Sequence, residues 1–232
     1  MLLAGCRPAG QRLGLHYLPG FVPGSQDVFH PAKVAVLPVG GSLASGRVEV
    51  GSIYDDRGLL EKNLFVSDAG TVATRALIRA LADGGLAPVA LDAMPAGGLP
   101  SGIDYLLTSE LLSMEVNKRF GVERTVHGQY FTMESKVRLK FALLNRSGEA
   151  IYSDELTGAE SEPPAPLGAE VFLPLETEPA ESLSVALSRA IGSLMLEPGL
   201  RRILPVRAAL VLPPTPIETP TSAPTRSAPA SN

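Results

Sequence analysis

The chain has 232 residues, a formal net charge of −4, 45% apolar residues and 19% charged ones. That allows a packed core in one domain with extensions, or two small ones, and it is too weakly charged for a general polyanion binder, so no nucleic-acid partner is expected. One cysteine, three histidines and no tryptophan exclude a disulfide framework and a multi-cysteine zinc site, while 23 glycines and 21 prolines are many for one compact unit.

The chain opens Met1-Leu2-Leu3-Ala4-Gly5-Cys6. Leu3-Ala4-Gly5-Cys6 resembles a bacterial lipobox, the tetrapeptide cut before a cysteine that is then acylated on sulfur. A full lipoprotein signal has a basic n-region and about 7–15 apolar residues ahead of that point, so residues 1–6 read as its remnant. The alternative is a buried or incidental free cysteine. Lipidation at Cys6 implies a membrane partner reached through acyl chains. In such lipoproteins an Asp after the cysteine retains the protein at the inner membrane. Arg7 stands there, which implies the outer membrane of a Gram-negative bacterium, facing the periplasm. No apolar run approaches the roughly 18 residues of a membrane-spanning helix.

Residues 7–31 are rich in Gly, Pro and Gln without a sustained period and read as a flexible tether. A folded unit is expected over 32–203, with residues 204–232 a Pro/Ser/Thr-rich disordered tail. Lys33-Val34-Ala35-Val36-Leu37-Pro38 predicts a short strand ended by proline, and the glycine-dotted stretch 39–66 a long irregular loop holding Tyr54-Asp55-Asp56-Arg57-Gly58. Ser67 or Asp68 can cap a helix whose apolar face carries Val72, Ala73, Ala76, Leu77, Ala80 and Leu81, ended by Gly84-Gly85. Pro88-Val89-Ala90-Leu91 predicts a second short strand. No proline lies between Pro100 and Pro163, as central strands require. Two long strands are expected there: 103–117, with Leu106, Leu112, Met114 and Val116 on one face, and 133–146, with Val137, Leu139, Phe141 and Leu143 opposite Glu134, Lys136, Arg138 and Lys140. Asn145-Arg146-Ser147-Gly148 is turn chemistry leading to a hairpin partner at 150–156, then a Pro-rich loop over 160–179. The last element is a helix at 180–197 with Leu183, Leu187, Ile191 and Leu194 as its stripe. Together these predict an α+β two-layer sandwich: a mostly antiparallel sheet of about four strands, two helices packed on one face.

The Cys6 anchor, the Ala-Val-Leu-Pro first strand, the helix leading into Leu86-Ala87-Pro88-Val89, the Tyr54-Asp55-Asp56-Arg57-Gly58 loop and Asp104-Tyr105-Leu106-Leu107 at a strand start resemble the YajG-type bacterial lipoproteins. The layout is shared more loosely with PqiC-type auxiliary lipoproteins of ABC transport systems and with the N-terminal domain of TolB. The resemblance brings no catalytic residues. It implies a non-catalytic envelope lipoprotein, a periplasmic binding or adaptor domain with an envelope protein partner, accessory to transport or assembly.

No G-x-S-x-G, H-E-x-x-H, P-loop or dinucleotide-binding glycine pattern occurs, so no cofactor is expected. His16, His30 and His127 are too scattered to suggest a metal site. Asp55 and Asp56 are the most enzyme-like carboxylates, able in principle to share a proton or hold a cation, but Arg57 beside them favours a solvated turn. A small-ligand module or hydrolase using that loop is one alternative reading, and a lipid-binding ABC-transport auxiliary another. Lys118, Arg119 and Arg124, with His127 nearby and Tyr130 following, could make a basic-aromatic patch for anionic lipid or glycan, or simply a solvated hairpin tip.

Overall fold

The computed structural model describes residues 9–19, 21–22, 31–55, 57–96, 98–122, 129–167, 178–204 and 210–211. The elements in chain order are β1 (Ala9–Leu13), β2 (Phe21–Val22), β3 (Lys33–Val36), β4 (Arg47–Tyr54), β5 (Leu60–Ser67), α1 (Ala69–Asp83), β6 (Ala87–Ala90), β7 (Tyr105–Val122), β8 (Gln129–Leu144), β9 (Ala150–Leu167), α2 (Pro179–Leu196), α3 (Pro198–Ile203) and β10 (Leu210–Val211). The mixed α+β class agrees with the sequence; the sheet is larger than expected.

Eight strands form one sheet with β7 as its spine. β8 runs antiparallel along all of it, from Leu106 opposite Leu144 to Val122 opposite Gln129, and β9 lies outside β8. On its other side β7 takes two parallel partners in succession. β3 pairs at Tyr105 to Leu107 and carries β6. β4 pairs farther along, with Gly51 opposite Val116 and Tyr54 opposite Arg119, and carries β5 and then β1. The sheet is thus not of about four strands, and four of its seven pairings are parallel, although the longest ladders are antiparallel.

The additional sheet strands are β4 and β5 in the stretch 39–66 and β1 in the stretch 7–31, and β9 is longer than expected. The stretch 39–66 holds the β4–β5 hairpin, hidden because a register shift between Glu49 and Gly51 breaks the period-2 alternation. The prolines after 160 belong partly to β9, which runs to Leu167. Phe131 faces Ala165 while Met133 faces Glu162, so Pro163 and Pro164 fall in a bulge of an outer strand, where a missing N–H is tolerated.

A bulge also corrects the face of β7. Its register shifts between Leu111 and Ser113, and one extra residue moves every later side chain to the other face. The core-facing set is therefore Leu107, Leu111, Met114 and Val116, all buried, while Leu106 turns to the opposite face. β8 follows its even alternation: Met133, Val137, Leu139, Phe141 and Leu143 are fully buried.

α1 and α2 cover that face. Ala73, Ala76, Leu77, Ala80 and Leu81 of α1 and Leu183, Ala186, Leu187, Ala190, Ile191 and Leu194 of α2 are buried in one cluster with the sheet, each large side chain contributing roughly 1.5–3 kcal/mol of burial. α1 stops at Gly84 as expected, but Asp68 caps it in a left-handed conformation without a side-chain hydrogen bond. α2 approaches β9 closely: a Cβ on Gly158 would lie 1.9 Å from the Ala186 carbonyl oxygen. On the other face a small cluster of Ala35, Ile103 and Leu106 is covered by Leu91 and Leu99.

The stretch expected as a tether is partly built into the domain. β1 adds to the sheet in parallel with β5, Ala9 opposite Lys62 through Leu13 opposite Val66. Residues 14–19 then lie along the helices as a strap. The His16 and Leu18 amides donate to the Ser184 and Ser188 hydroxyls on successive turns of α2. Within the expected tail, Leu210 and Val211 pair antiparallel with Val22 and Phe21; residues 212–232 lie outside the described residues.

Candidate functional site

The Tyr54-Asp55-Asp56-Arg57-Gly58 string is the connection between β4 and β5. The Asp55 carboxylate oxygen Oδ1 accepts hydrogen bonds from the Arg57 amide at 2.9 Å and the Leu59 amide at 2.7 Å. The Asp55 amide donates to the Leu59 carbonyl at 2.9 Å, and the Gly58 amide to the Asp55 carbonyl at 3.0 Å. Gly58 sits at φ 74°, the left-handed conformation that suits glycine. Asp55 Oδ1 therefore holds a turn; Asp56 lies outside the described residues. Arg57 is exposed beside them.

What this turn presents is apolar. Leu59 is 61% exposed and Leu60 43%, the first being the most exposed of the large apolar side chains among the described residues. They stand at the end of the sheet where β1 begins and where the β7–β8 hairpin closes.

The opposite end carries a turn of the same design. Between β8 and β9, Asn145 Oδ1 accepts from the Ser147 and Glu149 amides, both at 3.0 Å. The Asn145 amide donates to the Glu149 carbonyl and the Gly148 amide to the Asn145 carbonyl, with Gly148 at φ 81°. The positions matching Leu59 and Leu60 hold Glu149 and Ala150, and Asn145 Nδ2 donates to the Glu149 carboxylate.

Of the expected basic-aromatic patch, only the Lys118 side chain lies among those described. Lys118 follows Met114 and Val116 onto the core side of β7 and is only 7% exposed, so it is withdrawn from any surface patch. Arg119 and Tyr130 take part in the ladders of the same hairpin, opposite Thr132 and Gly121. Arg124 and Cys6 lie outside the described residues. The wet face of β8 is no cationic platform either. Lys140 stands between Glu110 and Glu155, Lys136 is opposite Glu115, and Arg138 is hydrogen-bonded to Glu155. The cross-strand charges balance.

The strap was invisible in the sequence because no period marks it. Tyr17 tucks in beside α1, where burial pushes its hydroxyl pKa up to about 12, the Asp83 carboxylate adding to the shift and the Arg79 guanidinium opposing it. Burial likewise raises the Tyr152 hydroxyl, helped by Asp154 and Glu197 and by the hydrogen bond to Asp154. Leu18 and Pro19 also form one wall of a cleft of about 480 Å³, completed by Gly158 and Thr157 of β9 and by Val185, Gly192 and Leu196 of α2. Arg189 at its rim is occupied, donating to the Ala159 carbonyl and paired with Glu160. Among the described residues no three His, Cys, Asp or Glu side chains converge to hold a metal ion, and no helix is long and apolar enough to cross a membrane.

No family model and no curated protein matches the chain. Among solved structures it is similar to a Xanthomonas campestris protein of the family model DUF330 (13% identity over 81% of this chain and 91% of that one, TM-score 0.42). It is also similar to the PelC dodecamer subunit of Paraburkholderia phytofirmans (16% identity, 74% and 92% covered, TM-score 0.38). A third is a minor lipoprotein of Acinetobacter baumannii (13% identity, 76% and 96% covered, TM-score 0.34).

Proposed function

We propose that the chain is a non-catalytic, lipid-anchored protein of the Gram-negative cell envelope. Cys6 carries the acyl chains, and the α+β domain faces the periplasm from the outer membrane as a binding or adaptor module for envelope transport or assembly. The observation that carries this reading is Leu3-Ala4-Gly5-Cys6, an apolar-small-small-Cys string. Two further features agree with it. The carboxylate most suggestive of catalysis, Asp55, is committed to a turn, and the balanced charges of the wet sheet face suit protein contact better than capture of a polyanion.

The lipid-carrier reading has one observation in its favour, the apolar cleft beside α2. The space between the helices and the sheet is filled by the core, so any acyl chain would have to lie along the outside of α2.

The test is mass spectrometry of the Cys6 peptide from the membrane fraction of the native host, with and without globomycin. A diacylglyceryl thioether that disappears in Cys6→Ala, with the protein moving to the soluble periplasmic fraction, supports the anchor. An unmodified Cys6 in a soluble protein overturns it.

A further inference from the structure

Three residue steps lead from the proposed acylation site to the sheet: β1 begins at Ala9. A chain covers at most about 3.6 Å per residue, so acyl chains on Cys6 would be tied within about 11 Å of the sheet end from which β1 starts. There is no room for a long tether. Because β1 runs parallel to β5 with Ala9 opposite Lys62, that end is the one carrying the β4–β5 turn. Counting back three places from Lys62 along β5 reaches Leu59.

Leu59 and Leu60 are exposed there without a local reason. The matching turn at the other end of the sheet makes the same four kinds of hydrogen bond around the same glycine conformation, with Glu149 and Ala150 in their places. The backbone does not call for leucine. Nor are the leucines loosely held, since Asp55 fixes Leu59 through its amide.

We infer that the Leu59–Leu60 tip is a bilayer contact: it enters the interfacial layer of the same leaflet that holds the Cys6 acyl chains. The inference rests on the proposed acylation of Cys6 and adds an orientation to it. An acyl chain alone leaves a domain free to swivel, whereas a second apolar contact at the same end of the sheet sets the sheet end-on to the membrane. Reversible attachment becomes stable when two such signals act together. Exposed Arg57 in the same turn suits anionic headgroups, while Lys62, opposite Ala9, is paired with Glu61 at 3.4 Å.

The chain has no tryptophan, so one substitution creates a sole reporter. Full-length lipidated protein carrying Leu60→Trp, and a second carrying Ile151→Trp at the far end, are reconstituted into phosphatidylethanolamine–phosphatidylglycerol vesicles with and without brominated acyl chains. The lipid on Cys6 is verified by intact mass. The expected result is roughly two-fold quenching of the Leu60→Trp reporter by brominated lipid and none of the Ile151→Trp reporter, as an interfacial depth requires. Equal quenching of both, or of neither, on protein whose Cys6 carries lipid overturns the bilayer contact while leaving the anchor in place. A blue-shifted Leu60→Trp reporter in lipid-free protein of dimer mass overturns it in favour of a second copy. Absence of lipid on Cys6 overturns the anchor itself, and the contact with it.

Discussion

The two ends of the sheet carry the same turn and put different chemistry on it. Asp55 and Asn145 occupy equivalent positions, each accepting the backbone N–H groups two and four residues downstream, and Gly58 and Gly148 supply equivalent left-handed backbones. They are separated by about fourteen residues of β7, or roughly 45 Å at strand rise. One turn shows Leu59 and Leu60, the other Glu149 and Ala150. Turn chemistry dictates an Asx residue and a glycine; it leaves the following residues open. Where a fold repeats a local solution, the positions left open are the ones that report what surrounds each copy.

The largest effect is expected from breaking the element that joins the two ends. Gly158→Val would drive side-chain atoms into the Ala186 carbonyl and the Ala190 amide of α2. Overpacking of this kind costs about 1–3 kcal/mol and more where backbone blocks relaxation, so thermal unfolding should show a large fall in Tm with both ends affected. Next come the turn glycines. Neither Gly58 nor Gly148 has anything within 4 Å of a Cβ, so Gly58→Ala and Gly148→Ala should each lose about 1–2 kcal/mol through left-handed strain alone. Chemical denaturation giving clearly unequal losses would break the equivalence of the turns.

Smaller changes follow when the side-chain acceptors are removed. Asp55→Ala deletes two side-chain hydrogen bonds and Asn145→Ala four, all at exposed sites, and about 1 kcal/mol is expected for each variant in the same assay. The smallest effect concerns the strap that follows β1. Tyr17 is neutral in the folded chain up to about pH 12 and titrates near its ordinary value of 10.0 once unfolded. Its raised folded value means that its contribution is complete below pH 10 and is lost as pH rises toward 12. Tyr17→Phe should remove that part of the alkaline loss of stability and leave neutral-pH stability little changed. An identical alkaline profile in the variant and the parent would count against the burial of this hydroxyl.

How much of this was readable beforehand depends on which periodicity survived. The stripe of α2 and the alternation of Val137, Leu139, Phe141 and Leu143 survived intact, because nothing interrupts either element. β7 was located correctly but given the wrong face for Leu106, because a bulge at Leu111–Ser113 is one residue with no sequence mark. The sequence of β4 and β5 suggests a loop, since Gly51 and Gly58 look alike in sequence although one sits inside a strand and the other in a turn. At the candidate site the Asp55 turn was legible in its residues and misread in its purpose: the carboxylate drew attention, while the two leucines after it, ordinary in composition, acquire meaning only when parallel pairing with β1 brings the start of the chain alongside.

The strap also bears on how the domain is completed. Its hydrogen bonds to Ser184 and Ser188 join residues 168 and 170 positions apart in sequence, and α2 is nearly the last element to be made. β1 can pair with β5 early, but the strap cannot finish docking until α2 exists, and closing so long a loop is the slow, entropy-limited kind of contact. On the proposed acylation of Cys6, an N-terminus tethered early would hold one end of that loop fixed while the rest assembles, so that attachment and the closing of the strap would share a single segment.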